Sequence, residues 1–540
     1  MASARFKTGL CILVIIAAVF SVYANSFSGA FLFDDNQQIL NNAFIKELKY
    51  LPLIFQSGFG RFDITGTNYY RPLIDLSFLV DHFLWGTDKF GYHLTSVLFH
   101  AAGAITLFLL LMALFKSLKT AFLTALLFSV HPIYTSGVTY LSGRGDSMVI
   151  FFILFALFFL MKFFADDQKN ANFVFLSISA VSFFLALLTK ESALFIMVFA
   201  ILCGLYTIKT AKTSGIKMKW ASVCIVLAVV IALYLLMRAN AIKTFYTPQF
   251  NVAAHMGAMA RILTAAKAFL LYLSVLLLPI GLHFERTVPA AGSLFDPYVL
   301  MAICAAGCLI YAAMISSKRK EPEFYGLLWF FAMFIPVSNF VIPLNSFAAE
   351  NWIQMPAIGI FLAASAYAVR FYEERRSDPL LNIVGKLPLV LLVAALIFYS
   401  FLTIKRNEEY KDPILFYESA LKYEPDSVKL LNNLGLEYEI RKDAVKAEAL
   451  YKKVLNIKPD HVATLNNLAN AYSARGQYDD AIGLYSKALS VSPENKMFIN
   501  NLGVAYVRKG DKQNAVRCWK RSLELDPDQP QIKEYIKWNQ

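Results

Sequence analysis

A chain of 540 residues that is 57% hydrophobic and only 16% charged, with a mean hydropathy of +0.51, is not a soluble globular protein throughout; soluble chains carry about 25% charged residues. The formal charge of +13 does not mark a nucleic-acid binder, because the lysines and arginines sit in short stretches between apolar runs, the arrangement that orients membrane spans. Six cysteines without a CxxC pair support neither a disulfide framework nor a thiolate zinc site.

Arg5 and Lys7 precede the apolar run 10–23, which reads as a retained first helix with its N-terminus in the cytoplasm. Residues 25–92 form a first outer loop. Its apolar pieces, 50–55 and 73–84, are broken by Pro52, Gly58, Gly60 and Pro72 and fall short of the ~20 residues a span needs. They are expected to lie along the membrane interface, with Tyr69, Tyr70 and Trp85 at headgroup level. Further runs follow at 93–115, 121–134, 148–164, 173–188, 192–206, 220–237, 262–280, 298–315, 324–342, 353–371 and 387–403. An even count would return the C-terminus to the cytoplasm. The basic loops at Lys318-Arg319-Lys320 and Arg375-Arg376 favour an odd one, 11 or 13 spans, with a non-spanning run or a hidden short span between Trp220 and Ile280.

Composition changes after residue 404. Pro425, Pro459, Pro493 and Pro527 recur every 34 residues. In register with them stand Asn432-Asn433, Asn466-Asn467 and Asn500-Asn501, then Gly435, Ala469 and Gly503, then Tyr451, Tyr485 and Trp519. Small residues let two helices cross closely and aromatics fill the gap between hairpins, the signature of tetratricopeptide repeats. The expected architecture is therefore all-α: a polytopic helical membrane domain over 1–404 and an α-solenoid over 405–540. Its repeats are 425–458, 459–492 and 493–526, with a degenerate helix before them and a capping helix after.

Ionisable residues at the ends of spans need a reason. Asp34 and Asp35 follow Phe31-Leu32-Phe33 just beyond the first span; a helix cap or turn is the ordinary alternative for such a pair. The other groups are Arg71 with Asp75, His93 and His100, His131, Arg144 and Asp146, Lys190-Glu191, and Glu350. Nearly all fall on one side of the assigned topology, with His100 about two turns deeper, which implies a polar cavity at the outer surface. Sugar transfer there would need a carboxylate to take the acceptor proton, from Asp34 or Asp35 with Asp35 preferred. It would also need cations against a departing phosphate, from Arg71, Arg144 and Lys190, with His131, Asp146 and Glu191 beside them. His93 and His100 are candidates for a divalent metal or for helix packing, and metal dependence is not readable from the sequence.

Taken in order, Phe33-Asp34-Asp35, Tyr70-Arg71-Pro72-Leu73, His93 to His100, Leu127-Phe128-Ser129-Val130-His131-Pro132, Ser142-Gly143-Arg144-Gly145-Asp146 and Leu188-Thr189-Lys190-Glu191-Ser192, followed by the repeats, resemble the transmembrane and tetratricopeptide repeat-containing protein O-mannosyltransferases of the GT-C glycosyltransferase superfamily. The resemblance implies a catalytic acid in the first outer loop and a polyprenyl-phosphate sugar donor. It further implies transfer of mannose to Ser/Thr of proteins by an inverting single displacement. The repeat architecture, which usually binds peptides or proteins along its concave face, favours a protein acceptor or partner. Where that family tends to have Glu-Arg, this chain has Glu350-Asn351, so one cation is missing. A bacterial inner membrane with a periplasmic site is expected, or the lumenal side of the endoplasmic reticulum in a eukaryote. Competing readings are transfer to an envelope glycan or lipid, and a non-enzymatic membrane-anchored scaffold.

Overall fold

The computed structural model describes residues 2–59, 69–165, 171–210, 214–242, 256–319, 321–377 and 379–539. It is 81% helical. Among the described residues there is no strand, only an isolated antiparallel bridge between Arg286 and Ala348. The chain divides into two compact units, Met1–Asp412 and Pro413–Gln540.

In the first unit all twelve apolar runs of the sequence are helical. Among the described residues eight helices are long and apolar enough to cross a membrane: Arg5–Ser28, Lys89–Phe115, Leu141–Ala165, Gly215–Ala241, Ala258–Leu277, Pro297–Lys318, Glu350–Arg375 and Leu381–Glu409. A ninth candidate is the pair Leu118–Val130 and Pro132–Val138, bent by 51°. The bend falls at His131, whose backbone is extended (φ −71°, ψ 128°) because a residue before proline is driven out of the helical region. Phe173–Thr189 and Pro322–Val337 are shorter, and Ala193–Thr210 completes the set. Both runs between Trp220 and Ile280 give helices of spanning length, so neither is the non-spanning run expected there, and the place for a hidden short span, 243–255, lies outside the described residues. Among the described residues the short helices lie elsewhere, where proline or polar residues interrupt the run.

Helix contacts inside a membrane depend on close backbone approach rather than on hydrophobic transfer. Pro322–Phe334 and Gln354–Arg375 meet at paired glycines: a Cβ on Gly359 would stand 2.2 Å from the Gly326 carbonyl. In the segment between the first two long apolar helices, helix Pro72–Trp85 begins on a proline at a position that needs no amide donor. It buries Ile74, Phe78, Leu79 and Asp81 and exposes Val80, Phe83, Leu84 and Trp85, the two-faced character of an interfacial helix. Arg406, Asn407 and Tyr410 are buried in this unit, which carries it past residue 404 to Asp412.

The second unit stacks three helical hairpins. They are Val428–Ile440 with Ala444–Ile457, Val462–Ala474 with Tyr478–Val491, and Lys496–Lys509 with Lys512–Leu525, flanked by Pro413–Leu421 and Pro530–Asn539. Ser427, Asp443, Asn495 and Asp511 cap helix starts with side-chain oxygens that accept from backbone amides. The recurring small residue lies on the recurring aromatic: a Cβ on Gly435 would come within 2.6 Å of the Tyr451 ring, and one on Gly503 within 2.4 Å of Trp519. The asparagine pairs tie one repeat to the next. Asn467 donates to Asn432 (3.2 Å), and Asn501 donates to Asn466 (3.0 Å).

Candidate active site

The two adjacent aspartates are turned apart by the backbone. Phe33 sits at φ +47°, a left-handed conformation that a bulky aromatic residue adopts at a cost of about 1–3 kcal/mol. A π-helical turn, Asn36–Leu40, follows directly, and the Asp34 carbonyl accepts from Gln37 N (3.0 Å) and Gln38 N (2.8 Å). Asp35 consequently points inward and is 1% exposed. Its Oδ1 accepts from the Ser142 amide (2.7 Å) and hydroxyl, and its Oδ2 accepts from Leu32 N (2.9 Å). Burial pushes its carboxyl up to about 7, against the pull of the Ser142 and Leu32 hydrogen bonds, and the neighbouring Asp34 adds to the rise. Asp34 instead lines a cavity of about 260 Å³, and its backbone amide donates to Tyr140 Oη (3.3 Å).

Five residues singled out by the sequence line this cavity: Asp34, Arg71, Asp146, Lys190 and Glu350. They come from the first loop, the start of helix Arg144–Ala165, the turn after helix Ala171–Thr189, and the turn before helix Gln354–Arg375. Neighbouring residues of opposite charge are used crosswise. Arg71 Nε pairs with Glu191 Oε2 (3.0 Å), and Glu191 Oε1 accepts from Tyr70 N (2.9 Å). Lys190 pairs with Asp146, whose second oxygen accepts from Asn351 Nδ2 (3.2 Å). The Arg71 guanidinium also lies 4.1 Å over the Tyr69 ring, fixing its plane. Glu350 is held between Arg406 (2.8 Å) and Arg286 (3.4 Å). Asn351, where a cation was noted as missing, thus steadies the carboxylate that holds Lys190.

Four of the candidate residues lie away from the cavity lining, and His93 and His100 take the helix-packing alternative. Arg144 is fully buried and does not reach the cavity. It pairs with Asp81 (2.6 Å), donates to Ser96 Oγ, Ser77 Oγ and the Tyr92 carbonyl, and stacks on Phe78, so every direction of the guanidinium is occupied by protein. His131 contacts no cavity group: Nδ1 accepts from Ile133 N (3.2 Å), Nε2 lies 3.1 Å from the Leu276 carbonyl, and Tyr399 and Phe361 pack on the ring. His93 packs tightly on Gly29, where a Cβ would fall 2.6 Å from Nε2. His100 stacks on Phe128 and points Nε2 at the Ser129 carbonyl (3.3 Å). Among the described residues no group of three His, Cys, Asp or Glu side chains is arranged to hold a metal.

The Ser142-Gly143-Arg144-Gly145-Asp146 stretch therefore divides its labour. Ser142 clamps Asp35, and Arg144 is a buried strut. A Cβ on Gly143 would stand 1.9 Å from the Ser136 carbonyl, so only glycine lets this turn close. Asp146 faces the cavity with Lys190. Tyr140, Phe284, Arg286 and Arg406 were not among the sequence candidates. Arg406 carried a weak sign, a cation closing the last apolar run; Phe284 carried none.

Comparison with known proteins identifies the repeats and a set of similar chains. Residues 426–494 and 466–530 each match a tetratricopeptide repeat family model. A protein O-mannosyl-transferase of Caenorhabditis elegans is 25% identical over 450 residues, covering 81% of this chain and 61% of that protein. The protein O-mannosyl-transferase TMTC3 of Mus musculus is 26% identical over 485 residues, 83% of this chain and 50% of that protein. TMTC1 of Homo sapiens is 26% identical over 515 residues, 76% of this chain and 55% of that protein. The chain spans about half to three-fifths of the length of these relatives. It is thus a relative of the protein O-mannosyl-transferases that its motifs resemble, a helical chain with several membrane-crossing candidates followed by tetratricopeptide repeats.

Proposed function

We propose that this chain is a membrane glycosyltransferase that moves mannose, or another hexose, from a polyprenyl-phosphate donor to Ser/Thr hydroxyls of proteins on the non-cytoplasmic side. The observation that carries the reading is that Asp34 alone of the two acids faces a cavity whose wall also holds Arg71 and Lys190. Asp34 is the general base. It accepts the acceptor hydroxyl's proton as that oxygen bonds to the sugar C1, while the bond from C1 to the phosphate oxygen breaks and its electrons leave with the phosphate. One displacement inverts the anomeric centre and needs no protein nucleophile. Arg71 and Lys190 face the leaving phosphate, which gains negative charge as it departs and so competes increasingly well with Glu191 and Asp146 for the two cations. Asp35 does not touch the reacting atoms; it holds the loop that presents Asp34. The repeats favour a protein acceptor over a glycan, since such arrays bind extended partners along a curved surface.

The test uses membranes carrying the full-length chain and radiolabelled polyprenyl-phosphate mannose. Asp34→Asn lowers label transfer to protein by about 10²–10⁴-fold, the usual contribution of a general base, with protein level unchanged. Undiminished transfer by Asp34→Asn would sink the assignment.

A further inference from the structure

We infer that Phe284 caps the base and keeps water from replacing the protein hydroxyl as acceptor. This rests on the transferase reading and adds to it a residue that sets which acceptor reacts. Phe284 belongs to the segment between helices Ala258–Leu277 and Pro297–Arg319, far in sequence from the aspartates, yet it lines the same cavity. Its ring packs edge-on against Phe33 (5.3 Å between centroids, 66°) and Tyr140 (5.9 Å, 79°). Phe33 is the residue before Asp34, and the Tyr140 hydroxyl accepts from the Asp34 amide. The three rings thus cluster at the part of the cavity wall that holds Asp34.

The segment is fastened rather than loose. Arg406 donates to the Leu282 carbonyl, and Arg286 donates to the Gly281 carbonyl (3.1 Å) and bridges to Ala348. Both arginines also hold Glu350 in the cavity wall. The buried Arg286–Glu350–Arg406 cluster therefore has a use: it fixes the segment that carries Phe284 in the cavity wall shared with Asp34. A lipid-linked sugar held here for a slow protein acceptor faces water at vastly higher concentration. Hydrolysis needs only that water reach Asp34. The water oxygen then bonds to C1, Asp34 takes its proton, and the phosphate leaves with the electrons of the broken C–O bond. An apolar ring over the base withholds that water while a larger acceptor fills the remaining space.

The experiment measures partition. Full-length wild type, Phe284→Ala and Phe284→Leu in membranes are given polyprenyl-phosphate mannose, and free mannose is counted against protein-bound mannose. Phe284→Ala raises the ratio of free to bound sugar about tenfold, and Phe284→Leu raises it less. A merely structural residue would lower both products together and leave the ratio alone. An unchanged ratio in either variant that still consumes donor overturns the inference while leaving the transferase reading intact. If Phe284→Ala does not accumulate, Phe284→Leu decides, with any rise above wild type supporting the cap and none overturning it. A wild type that consumes the donor by neither route overturns the transferase reading and the cap with it.

Discussion

Arg71 and Arg144 look interchangeable in the sequence, each beside an apolar helix on the same side of the membrane domain, yet they do opposite things. Arg71 keeps part of its side chain open, with 19% exposure, and shares the cavity with Asp34. Arg144 is at 0%, with Asp81 at 2%. The difference teaches what a charged residue near a membrane surface can be for. A cation meant for a substrate has a carboxylate partner and one free approach; a cation meant for the fold has none. Burial raises the Asp81 carboxyl while Arg144 pulls it back down, the balance of a pair sealed away from water.

The comparison breaks most visibly on stability. Arg144→Met leaves the Asp81 carboxylate buried and unpaired and is expected to destabilise the membrane unit by about 3–5 kcal/mol, read as a large fall in melting temperature in detergent. Adding Asp81→Leu removes the stranded charge and recovers most of the loss. If the single variant melts like wild type, Arg144 is not the strut described above.

Arg71→Gln sits on the other side of the divide. It should leave the melting temperature nearly unchanged and lower donor turnover about 10²–10³-fold, the range for losing one hydrogen-bond donor to a developing oxyanion. Arg71→Lys restores part of it, since a point charge remains but the two-pronged contact is gone. Equal losses of stability in Arg71→Gln and Arg144→Met would erase the distinction.

Much of this was legible in the sequence. The twelve apolar runs, the 34-residue repeat and the gathering of Asp34, Arg71, Asp146, Lys190 and Glu350 all follow from local pattern, because helix length, repeat spacing and position at a span end are local properties. What was not legible is long-range. Nothing near Asp35 says that it is bound by Ser142, and only that bond, with the left-handed Phe33, assigns the cavity to Asp34 rather than to its neighbour. Arg144 and His131 stand away from the cavity for the same reason: the groups that satisfy them, Asp81 and the Leu276 carbonyl, come from other helices. For His100 the Ser129 carbonyl of another helix decides between the metal and packing alternatives in favour of packing. Phe284 is invisible because one more aromatic in an aromatic-rich chain carries no mark.

The same division, cavity against seal, separates Asp34 from Asp35, and pH sharpens it. The Asp35 carboxyl in the folded chain is pushed up to about 7, and Asp75 in helix Pro72–Trp85 is pushed up equally by burial. An acid whose folded value lies above its unfolded value contributes stability below the unfolded value and loses it as pH rises through the folded one. The melting temperature should therefore fall by several degrees between about pH 5 and about pH 8. Asp35→Asn should flatten part of that fall, leaving the share due to Asp75. A slope identical to wild type would mean that Asp35 is ionised throughout.

The smallest effect belongs to a pair that is neither sealed nor in the cavity. Lys119 and Glu373 meet at 3.0 Å with about half of each side chain exposed, 52% and 49%. Water and salt screen such a contact, and holding two long side chains in one geometry offsets what attraction remains. Replacing both with glutamine should move the melting temperature by no more than about 1 °C and leave transfer unchanged. Geometry alone would rank this ion pair beside Arg144–Asp81, 2.6 Å apart. A loss comparable to that of Arg144→Met would mean that distance, rather than exclusion of water, decides what an ion pair contributes in this protein.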